Sequence, residues 1–324
     1  MQAPVVRRAR EREDQISVMA AEIRKGLLAT PPWLPPKYFY DDRGSRLFEE
    51  ITRLPEYYQT RTEEGILERD ADEIVGLAQP TELVELGSGS SRKIRLLLDA
   101  MARRGLLRRC VLLDINEGVL DESVSRLQRE YPGLEASGVV GDFARDLEAL
   151  GPGGGRMSIL LAGTIGNLHP DAELPGFLRA LTRRLEPDDT FLVGLDLVKD
   201  ERRLHAAYND SAGITAQFNL NILQVINDRL GADFDLGAFE HVALYDREQA
   251  RIEMRVRAVR ASRVHIRAAK LELRYRVGDE IRTEISCKYT RASLEQRLDG
   301  TRLRLERWFS DPEELFAVAL LRRL

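Results

Sequence analysis

The stretch Glu82-Leu-Val-Glu-Leu-Gly-Ser-Gly-Ser-Ser-Arg-Lys93 passes from a short apolar strand through a glycine turn into a helix. Gly87 and Gly89 can adopt backbone angles that other residues avoid, so the main chain there can approach a ligand closely. Ser90 or Ser91 can cap the helix that follows. A strand, a glycine turn and a helix in this order predict the nucleotide-binding turn of a Rossmann-like domain.

The charge beside this turn indicates which cofactor it binds. Glu85 lies two residues before the first glycine, where a carboxylate would repel the pyrophosphate of a dinucleotide. The third glycine of the dinucleotide pattern is also missing, because Arg92 takes its place. A carboxylate suits a cationic ligand, and S-adenosylmethionine (SAM) carries both an ammonium and a sulfonium group. The turn therefore favours SAM.

Two later strand ends carry side chains that suit the rest of the same cofactor. Asp114 lies 27 residues after Gly87 and can accept both ribose hydroxyls, although capping of the next helix explains Asp114 alone equally well. Asp142 and Phe143 close a third strand and offer a carboxylate to the adenine amino group and an aromatic face to its ring. Together the three strand ends predict a SAM site.

Short apolar strands alternate with amphipathic helices over about 81–196, which predicts an α/β domain with a parallel sheet covered on both faces. We expect strands at 81–86, 109–114, 137–141, 157–162 and 190–195, and helices near 91–103, 117–130 and 173–185. The region of about 199–288 becomes helical and then alternates with period two, so it is inserted before the last part of the sheet. Within it, 264–277 and 281–287 flank Gly278-Asp279 and predict a long hairpin.

Composition argues against several classes of protein. The chain has 324 residues and a net charge of −4, so it has no basic excess for a nucleic-acid partner. Two cysteines, Cys110 and Cys287, make no disulfide framework, and the four histidines lack metal-binding spacing. No apolar run approaches the ~20 residues that cross a bilayer, and no signal peptide is evident. We therefore expect a cytoplasmic monomer without metal, membrane or nucleic-acid partners.

Nine runs of sequence, in a fixed order, carry a resemblance to a known family. They are Lys37-Tyr-Phe-Tyr-Asp-Asp-Arg-Gly-Ser45, Ile51-Thr-Arg-Leu-Pro-Glu-Tyr-Tyr58, Thr60-Arg-Thr-Glu63, Val84-Glu-Leu-Gly-Ser-Gly-Ser90, Gly163-Thr-Ile-Gly-Asn-Leu168, Asp196-Leu-Val-Lys-Asp200, Asp233-Phe-Asp-Leu-Gly-Ala-Phe-Glu-His241, Arg251-Ile-Glu-Met254 and Glu284-Ile-Ser-Cys-Lys288. With these runs the chain closely resembles the histidine-specific Nα-methyltransferases of ergothioneine biosynthesis. The resemblance extends from about residue 32 to Trp308-Phe-Ser-Asp-Pro312.

The resemblance implies a fold, a reaction and a division of the chain. The fold is a Rossmann-like class I SAM-dependent methyltransferase sheet with a second, smaller substrate-binding domain. The SAM-binding domain would comprise 62–198 and 289–324, and the substrate-binding domain 1–61 and 199–288. The reaction would be SAM-dependent methylation of the α-amino group of L-histidine, three times in succession, to give N,N,N-trimethylhistidine (hercynine).

The resemblance also assigns roles to individual residues. The cofactor contacts that it matches are Gly87, Lys93, Asp114, Asp142 and Phe143, and the turn itself adds Glu85 and Gly89 to the predicted cofactor site. The substrate carboxylate would be bound by Tyr57, Asn167 and Tyr208. Asn167 would also accept from the α-amino group, with Thr164 and the backbone of Ala162 nearby, so Asn167 and Thr164 are the implied catalytic residues.

For the substrate side chain, the resemblance implies that Glu284 and Ser286 hold the imidazole. They lie two residues apart and therefore on one face of a strand. The same pocket would be lined by Tyr40 and Phe48, with Met254 at its floor. Two positions depart from the family pattern: Ala162 where glycine is expected and Gln59 where proline is usual.

Two other functions stay open at this point. An Nα-methyltransferase for another amino acid, such as tryptophan, would be expected to carry an apolar residue in place of Glu284. A non-catalytic SAM-binding regulatory module would be expected to lack the polar side chains of Tyr57, Asn167 and Tyr208.

Overall fold

The computed structural model describes residues 5–10, 12–89 and 92–324, so the predicted helix caps Ser90 and Ser91 lie outside the described residues. The chain divides into two compact units. The first unit comprises a segment that ends at Ala9, together with Gln59–Lys199 and Cys287–Leu324. The second unit comprises Arg10–Tyr58 and Asp200–Ser286.

The first unit is built on a largely parallel sheet. Its strands, numbered along the whole chain, are β1 (Val5–Arg8), β2 (Glu82–Leu86), β3 (Arg109–Asp114), β4 (Glu135–Val140), β5 (Arg156–Leu160), β6 (Thr190–Asp196), β12 (Leu303–Ser310) and β13 (Phe316–Arg323). Their order is β1-β4-β3-β2-β5-β6-β13-β12. Strands β1 to β6 pair in parallel, whereas β13 is antiparallel to both β6 and β12. The predicted α/β, Rossmann-like class is confirmed.

Helices cover this sheet because its central strands are apolar on both faces. Every residue of β2 and β5 is buried, which requires packing on each side of the sheet. The helices of this unit are α3 (Tyr58–Ala78), α4 (Ile94–Arg103), α5 (Glu117–Glu130), α6 (Leu174–Thr182) and α9 (Arg291–Leu298). One core joins Leu83 and Ile159 of the strands to Leu67, Leu97 and Val124 of the helices. Over the described ranges, no helix combines the length and apolarity needed to span a membrane.

Strand β1 differs from the expected division of the chain, which assigned 1–61 to the substrate-binding domain. It pairs in parallel with β4, with Val5 opposite Ser137. Val6 packs over Gly138, where an added Cβ would lie 3.0 Å from Val6 Cγ2. Two valines among arginines form too short a run to register as period-two alternation, so only the pairing reveals this strand.

The second unit contains a smaller antiparallel sheet packed against a helix. Its elements are α1 (Arg12–Leu27), α2 (Asp42–Ile51), α7 (Glu201–Tyr208), α8 (Ile214–Leu230), β7 (Phe239–Asp246), β8 (Arg251–Ala258), β9 (Ser262–Ile266), β10 (Leu271–Tyr275) and β11 (Glu280–Cys287). The sheet has the order β11-β8-β7, and α8 packs against β7 and β8. Strands β9 and β10 form a separate two-stranded ribbon.

The predicted long hairpin is wrong. Residues 264–277 do not form one strand, because the chain reverses between β9 and β10 at Arg267–Lys270, and Leu271 pairs with Ile266. Lys270 has a φ of 49° and donates from its N–H to Arg267 O at 3.1 Å. Strand β11 pairs with β8 instead. The two alanines at 268 and 269 interrupt the alternation, and that interruption marks the turn.

Candidate active site

The first unit places the glycine turn where the strand order of the sheet reverses. β2 lies between β3 and β5, from which the sheet grows in opposite directions. Ligands of open α/β sheets bind at such a switch point, outside the carboxyl ends of the strands. Gly87 follows β2 at this edge with a φ of 73°, a left-handed conformation that favours glycine.

Asp114, at the end of the neighbouring strand β3, holds the glycine turn in place. Its Oδ2 accepts a hydrogen bond from Gly89 N–H at 3.0 Å, and its Oδ1 accepts from Asn116 N–H at 2.9 Å. Helix α5 is capped by Asn116, whose Oδ1 accepts from Val119 N–H, so Asp114 is not the cap. Burial raises the pKa of Asp114, against the lowering effect of these backbone amides. Carboxylate oxygens have more than one lone pair, so Asp114 retains capacity for ribose hydroxyls.

Phe143 lies beside the same turn. Its ring carbon Cδ1 would be 3.9 Å from a Cβ added at Gly87, and the ring of Phe177 packs edge-on with centroids 5.8 Å apart. Asp142 Oδ1 accepts from Ala144 N–H at 2.9 Å. The structure therefore brings the predicted adenine-binding strand end to the predicted glycine turn.

A buried acid that the sequence analysis left without a role holds Lys93. Glu63 is fully buried in α3 and forms an ion pair with Lys93 Nζ. Both oxygens of Glu63 also lie 2.9 Å from Ala162 N. An ammonium has three N–H donors, so Lys93 can also bind the methionyl carboxylate that the resemblance implies. An acid within an amphipathic helix gives no sequence signal of burial, which is why Glu63 was missed.

The loop that contains the implied catalytic residues, Thr164 and Asn167, follows directly after Ala162. Ala162 and Gly163 have φ values of 60° and 68°, and they turn the chain into one 3-10 turn, Thr164–Asn167. The hydroxyl of Thr164 donates to Leu161 O at 2.8 Å, so its oxygen is oriented to accept rather than donate. Asn167 ends the turn and is half-buried.

The second unit carries the residues predicted for the imidazole. Glu284 and Ser286 are both buried in β11 and lie on the same face of it. The hydroxyl of Tyr208, which ends α7, donates to Ser286 Oγ at 2.8 Å. The structure thus joins a residue predicted for the substrate carboxylate to one predicted for its side chain.

The predicted aromatic residues form a cluster in the second unit. The Phe48 ring centroid lies 5.6 Å from that of Tyr40 and 6.2 Å from that of Tyr57. Phe218 of α8 joins this cluster at 5.5 Å from Tyr40 and 5.9 Å from Phe48. Phe218 was missed because an aromatic on the apolar face of a helix reads as ordinary core. The predicted floor residue, Met254, is buried in β8.

The residues of the first unit fit SAM. Among the described residues, a Cβ added at Gly89 would meet nothing within 4 Å, and the carboxyl edge of the sheet supplies acids and an aromatic ring in the required order. Glu85 is buried in β2 directly before the turn. Within the part of the chain that the structure describes, no group of His, Cys, Asp and Glu is arranged to hold a metal ion.

Comparison with known proteins gives an independent result. The family model described as histidine-specific methyltransferase, SAM-dependent, matches residues 19–323. The chain is 48% identical to a histidine N-alpha-methyltransferase of Mycolicibacterium smegmatis, over 92% of this chain and 93% of that protein. It is 46% identical to a protein of the same name from Mycobacterium tuberculosis, with the same coverage. It is also 34% identical to ergothioneine biosynthesis protein 1 of Schizosaccharomyces pombe, over 66% of this chain and 29% of that longer protein. The chain therefore belongs to the SAM-dependent, histidine-specific methyltransferases.

Proposed function

We propose that this protein methylates the α-amino nitrogen of L-histidine, in three successive transfers that give N,N,N-trimethylhistidine for ergothioneine biosynthesis. The observation that carries the proposal is the buried pair Glu284 and Ser286 on one face of β11 in a chain that belongs to this family. The names of the mycobacterial and yeast relatives support the reaction and the pathway.

The first unit would bind SAM, which supplies an electrophilic methyl group on its sulfonium. Asp114 would accept from the ribose hydroxyls, Asp142 and Phe143 would bind adenine, and Lys93 would bind the methionyl carboxylate. Glu85 places a negative charge beside the turn, where it suits the cofactor's ammonium. These side chains mainly orient the cofactor, because an activated methyl group requires no protein nucleophile.

Asn167 and Thr164 would orient the substrate amine. Their side-chain oxygens accept N–H bonds, which directs the remaining lone pair of a neutral amine. The α-amino group must lose a proton before each transfer, and because its pKa lies above neutrality that step depends on pH. We propose that water takes this proton, since neither side chain is basic.

Selection of histidine would depend on Glu284, whose carboxylate can accept from an imidazole N–H while Ser286 bonds the ring beside it. A site built to hydrogen-bond a polar ring rejects rings that leave its buried groups unpaired. This favours histidine over tryptophan as the substrate. A regulatory module without catalysis is disfavoured by the family match along nearly the whole chain.

The first test is a mass-spectrometric assay of the purified protein with SAM and an equimolar mixture of the twenty amino acids. We expect histidine to gain one, two and three methyl groups in turn. Methylation of another amino acid would refute the substrate assignment, and no methylation at all would favour a SAM-binding module.

Glu284→Ala tests the assignment of the imidazole contact. We expect the Kd for histidine to rise about 10- to 100-fold, since a hydrogen bond to a charged group contributes about 1.5–3 kcal/mol. The Kd for SAM should stay within about twofold, with both ligands titrated by calorimetry. Glu240→Ala, on the exposed side of β7, is the matched control. Equal losses of both affinities would show that Glu284 is structural.

We also propose that the protein is a cytoplasmic monomer that binds no nucleic acid. The net charge of −4 supports the absence of a nucleic-acid partner, and the free, buried thiols of Cys110 and Cys287 support a reducing compartment. Light scattering after size exclusion should give the mass of a single chain, and a dimer mass would refute the assignment.

A further inference from the structure

A chain of hydrogen bonds in the second unit begins and ends on β11, on either side of Glu284. It runs through Thr283, Asn219, His241, Tyr208 and Ser286. We propose that His241 is a positioning residue for histidine binding, which holds Tyr208 and, through it, Ser286 while its own imidazole is neutral. The inference rests on the proposed function, and it adds a residue to which neither the family resemblance nor the comparisons give a role.

The orientation of the Asn219 side chain follows from its partners. Its Nδ2 lies 2.8 Å from the carbonyl oxygen of Arg255, which can only accept, so the amide nitrogen must face that carbonyl. Its Oδ1 accepts from Thr283 Oγ1 at 2.5 Å. Asn219 and Thr283 are both fully buried, so neither bond can be exchanged for water.

This orientation determines the tautomer of His241. The second N–H of the Asn219 amide points at His241 Nδ1, 2.8 Å away, so Nδ1 must accept and carries no proton. His241 Nε2 lies 2.9 Å from the carbonyl oxygen of Tyr208, and it must donate there. The carbonyl oxygens of Arg255 and Tyr208 can only accept hydrogen bonds. The imidazole of His241 must therefore be neutral and protonated on Nε2.

Tyr208 is consequently held at two points. His241 bonds its backbone carbonyl, and its hydroxyl donates to Ser286 Oγ at 2.8 Å. Thr283 and Ser286 belong to the same strand as Glu284, so the chain of bonds connects α7 to the strand that would bind the imidazole. Loss of His241 would release Tyr208 at one end without removing any proposed substrate contact.

Protonation of His241 would break this arrangement, because a proton on Nδ1 would face the amide N–H of Asn219. Burial lowers the pKa of His241, while the Tyr208 carbonyl and Asp210 oppose this effect and His205 adds to it. Arg255 on β8, whose backbone carbonyl orients Asn219, has its guanidinium paired with Glu253 and Glu280. Histidine affinity should therefore lose the contribution of His241 only at acid pH, below the usual titration range of an imidazole.

The tautomer can be tested without any variant. We expect the 15N NMR spectrum of the wild-type protein at pH 7 to contain the signal of a neutral Nε2–H histidine side chain that disappears in His241→Phe. A cationic ring, or a proton on Nδ1, would overturn the inference even if the enzyme is active.

The role can be tested by titrating histidine and SAM separately into His241→Phe. We expect the histidine Kd to rise about tenfold or more while the SAM Kd stays within about twofold, since a released buried group costs about 1–3 kcal/mol. Thr283→Val, which removes only the hydrogen bond from Thr283 to Asn219, should give a smaller rise in the histidine Kd. His265→Phe is the matched control, because His265 is exposed on β9.

A pH series separates positioning from a general structural role. The ratio of the histidine Kd of His241→Phe to that of the wild type should shrink as the pH falls through the pKa of His241, because the wild type then loses the same bonds. A ratio that does not change with pH, or an unchanged histidine Kd in His241→Phe, would overturn the inference. If wild-type protein binds no histidine, the proposed function fails first, and this inference fails with it.

Discussion

Ala162 has a left-handed backbone at a point where the resemblance leads us to expect glycine. Its φ is 60°, and its N–H points to both oxygens of the buried Glu63. A Cβ in this conformation approaches the backbone oxygen and costs about 1–2 kcal/mol. The contact itself uses only the backbone, so the substitution changes stability rather than the donor that the loop presents.

Ala162→Gly should therefore stabilise the protein. We expect the free energy of unfolding in urea to rise by about 1 kcal/mol, since glycine adopts positive φ without this strain. Ala180→Gly, in the interior of helix α6, should lower it by about 1 kcal/mol and serves as the control. A loss of stability in Ala162→Gly would contradict the assigned backbone strain.

At the scale of an element, the end of β6 carries a buried cluster with more positive than negative charge. Asp196 is paired with Lys288 at 2.8 Å and with Lys199, and Gln59 Nε2 lies 3.4 Å from its Oδ2. Burial opposes ionisation of Asp196, but the two lysines outweigh it and hold the pKa of that carboxyl below its usual range. Burial lowers the pKa of Lys199 to about 8, against the attraction of Asp196. Gln59 therefore supplies a bond to this cluster that the usual proline could not.

Removing the acid of this cluster should lower the free energy of unfolding more than removing one of its lysines. Asp196→Asn removes the acid that pairs with both buried lysines, so we expect a loss of about 3–5 kcal/mol in the free energy of unfolding. Lys199→Met leaves a neutral pair of Asp196 and Lys288, so its loss should be much smaller. Urea denaturation at pH 7 measures both, and equal losses would contradict the charge assignment.

The pH dependence of stability tests the lowered pKa of Lys199. Between pH 8 and pH 10.5, the unfolded chain keeps a proton that the folded chain has released, so stability rises with pH through this residue. Over that range the wild type should gain stability relative to Lys199→Met. Parallel curves for the two proteins would show that Lys199 titrates normally.

At the scale of the whole sheet, the carboxyl and amino ends of the parallel strands in the first unit carry different kinds of residue. The carboxyl edge carries Gly87, Asp114 and Phe143. At the opposite edge, Arg156 is fully buried and donates to Glu82 Oε2 at 2.6 Å and to the carbonyls of Leu150, Gly151 and Pro152. These donors of Arg156 are thus satisfied by the protein itself, as expected of a structural residue.

Arg156→Met should consequently destabilise the fold without changing the cofactor site. We expect the free energy of unfolding to fall by about 1–3 kcal/mol, because the buried Oε2 of Glu82 loses its donor while Oε1 keeps its bond from Arg109 at 2.7 Å. The SAM Kd, measured by calorimetry at a temperature where the variant is folded, should stay within about twofold of the wild type. A large loss of SAM affinity would show that the amino edge of the sheet also shapes the site.

The sequence by itself determined the Rossmann-like class, the glycine turn at Gly87 and the family, because strand–turn–helix order and motif order are local properties. Only the tertiary structure decided which buried polar residues contact one another. Glu63, Asn219 and His241 carry no distinctive signal within their own helices and strands, and their hydrogen bonds are with residues far away in the chain. The same reason explains the missed β1 and the wrong hairpin: strand pairing is a contact between distant residues, and alternation alone does not specify the partner.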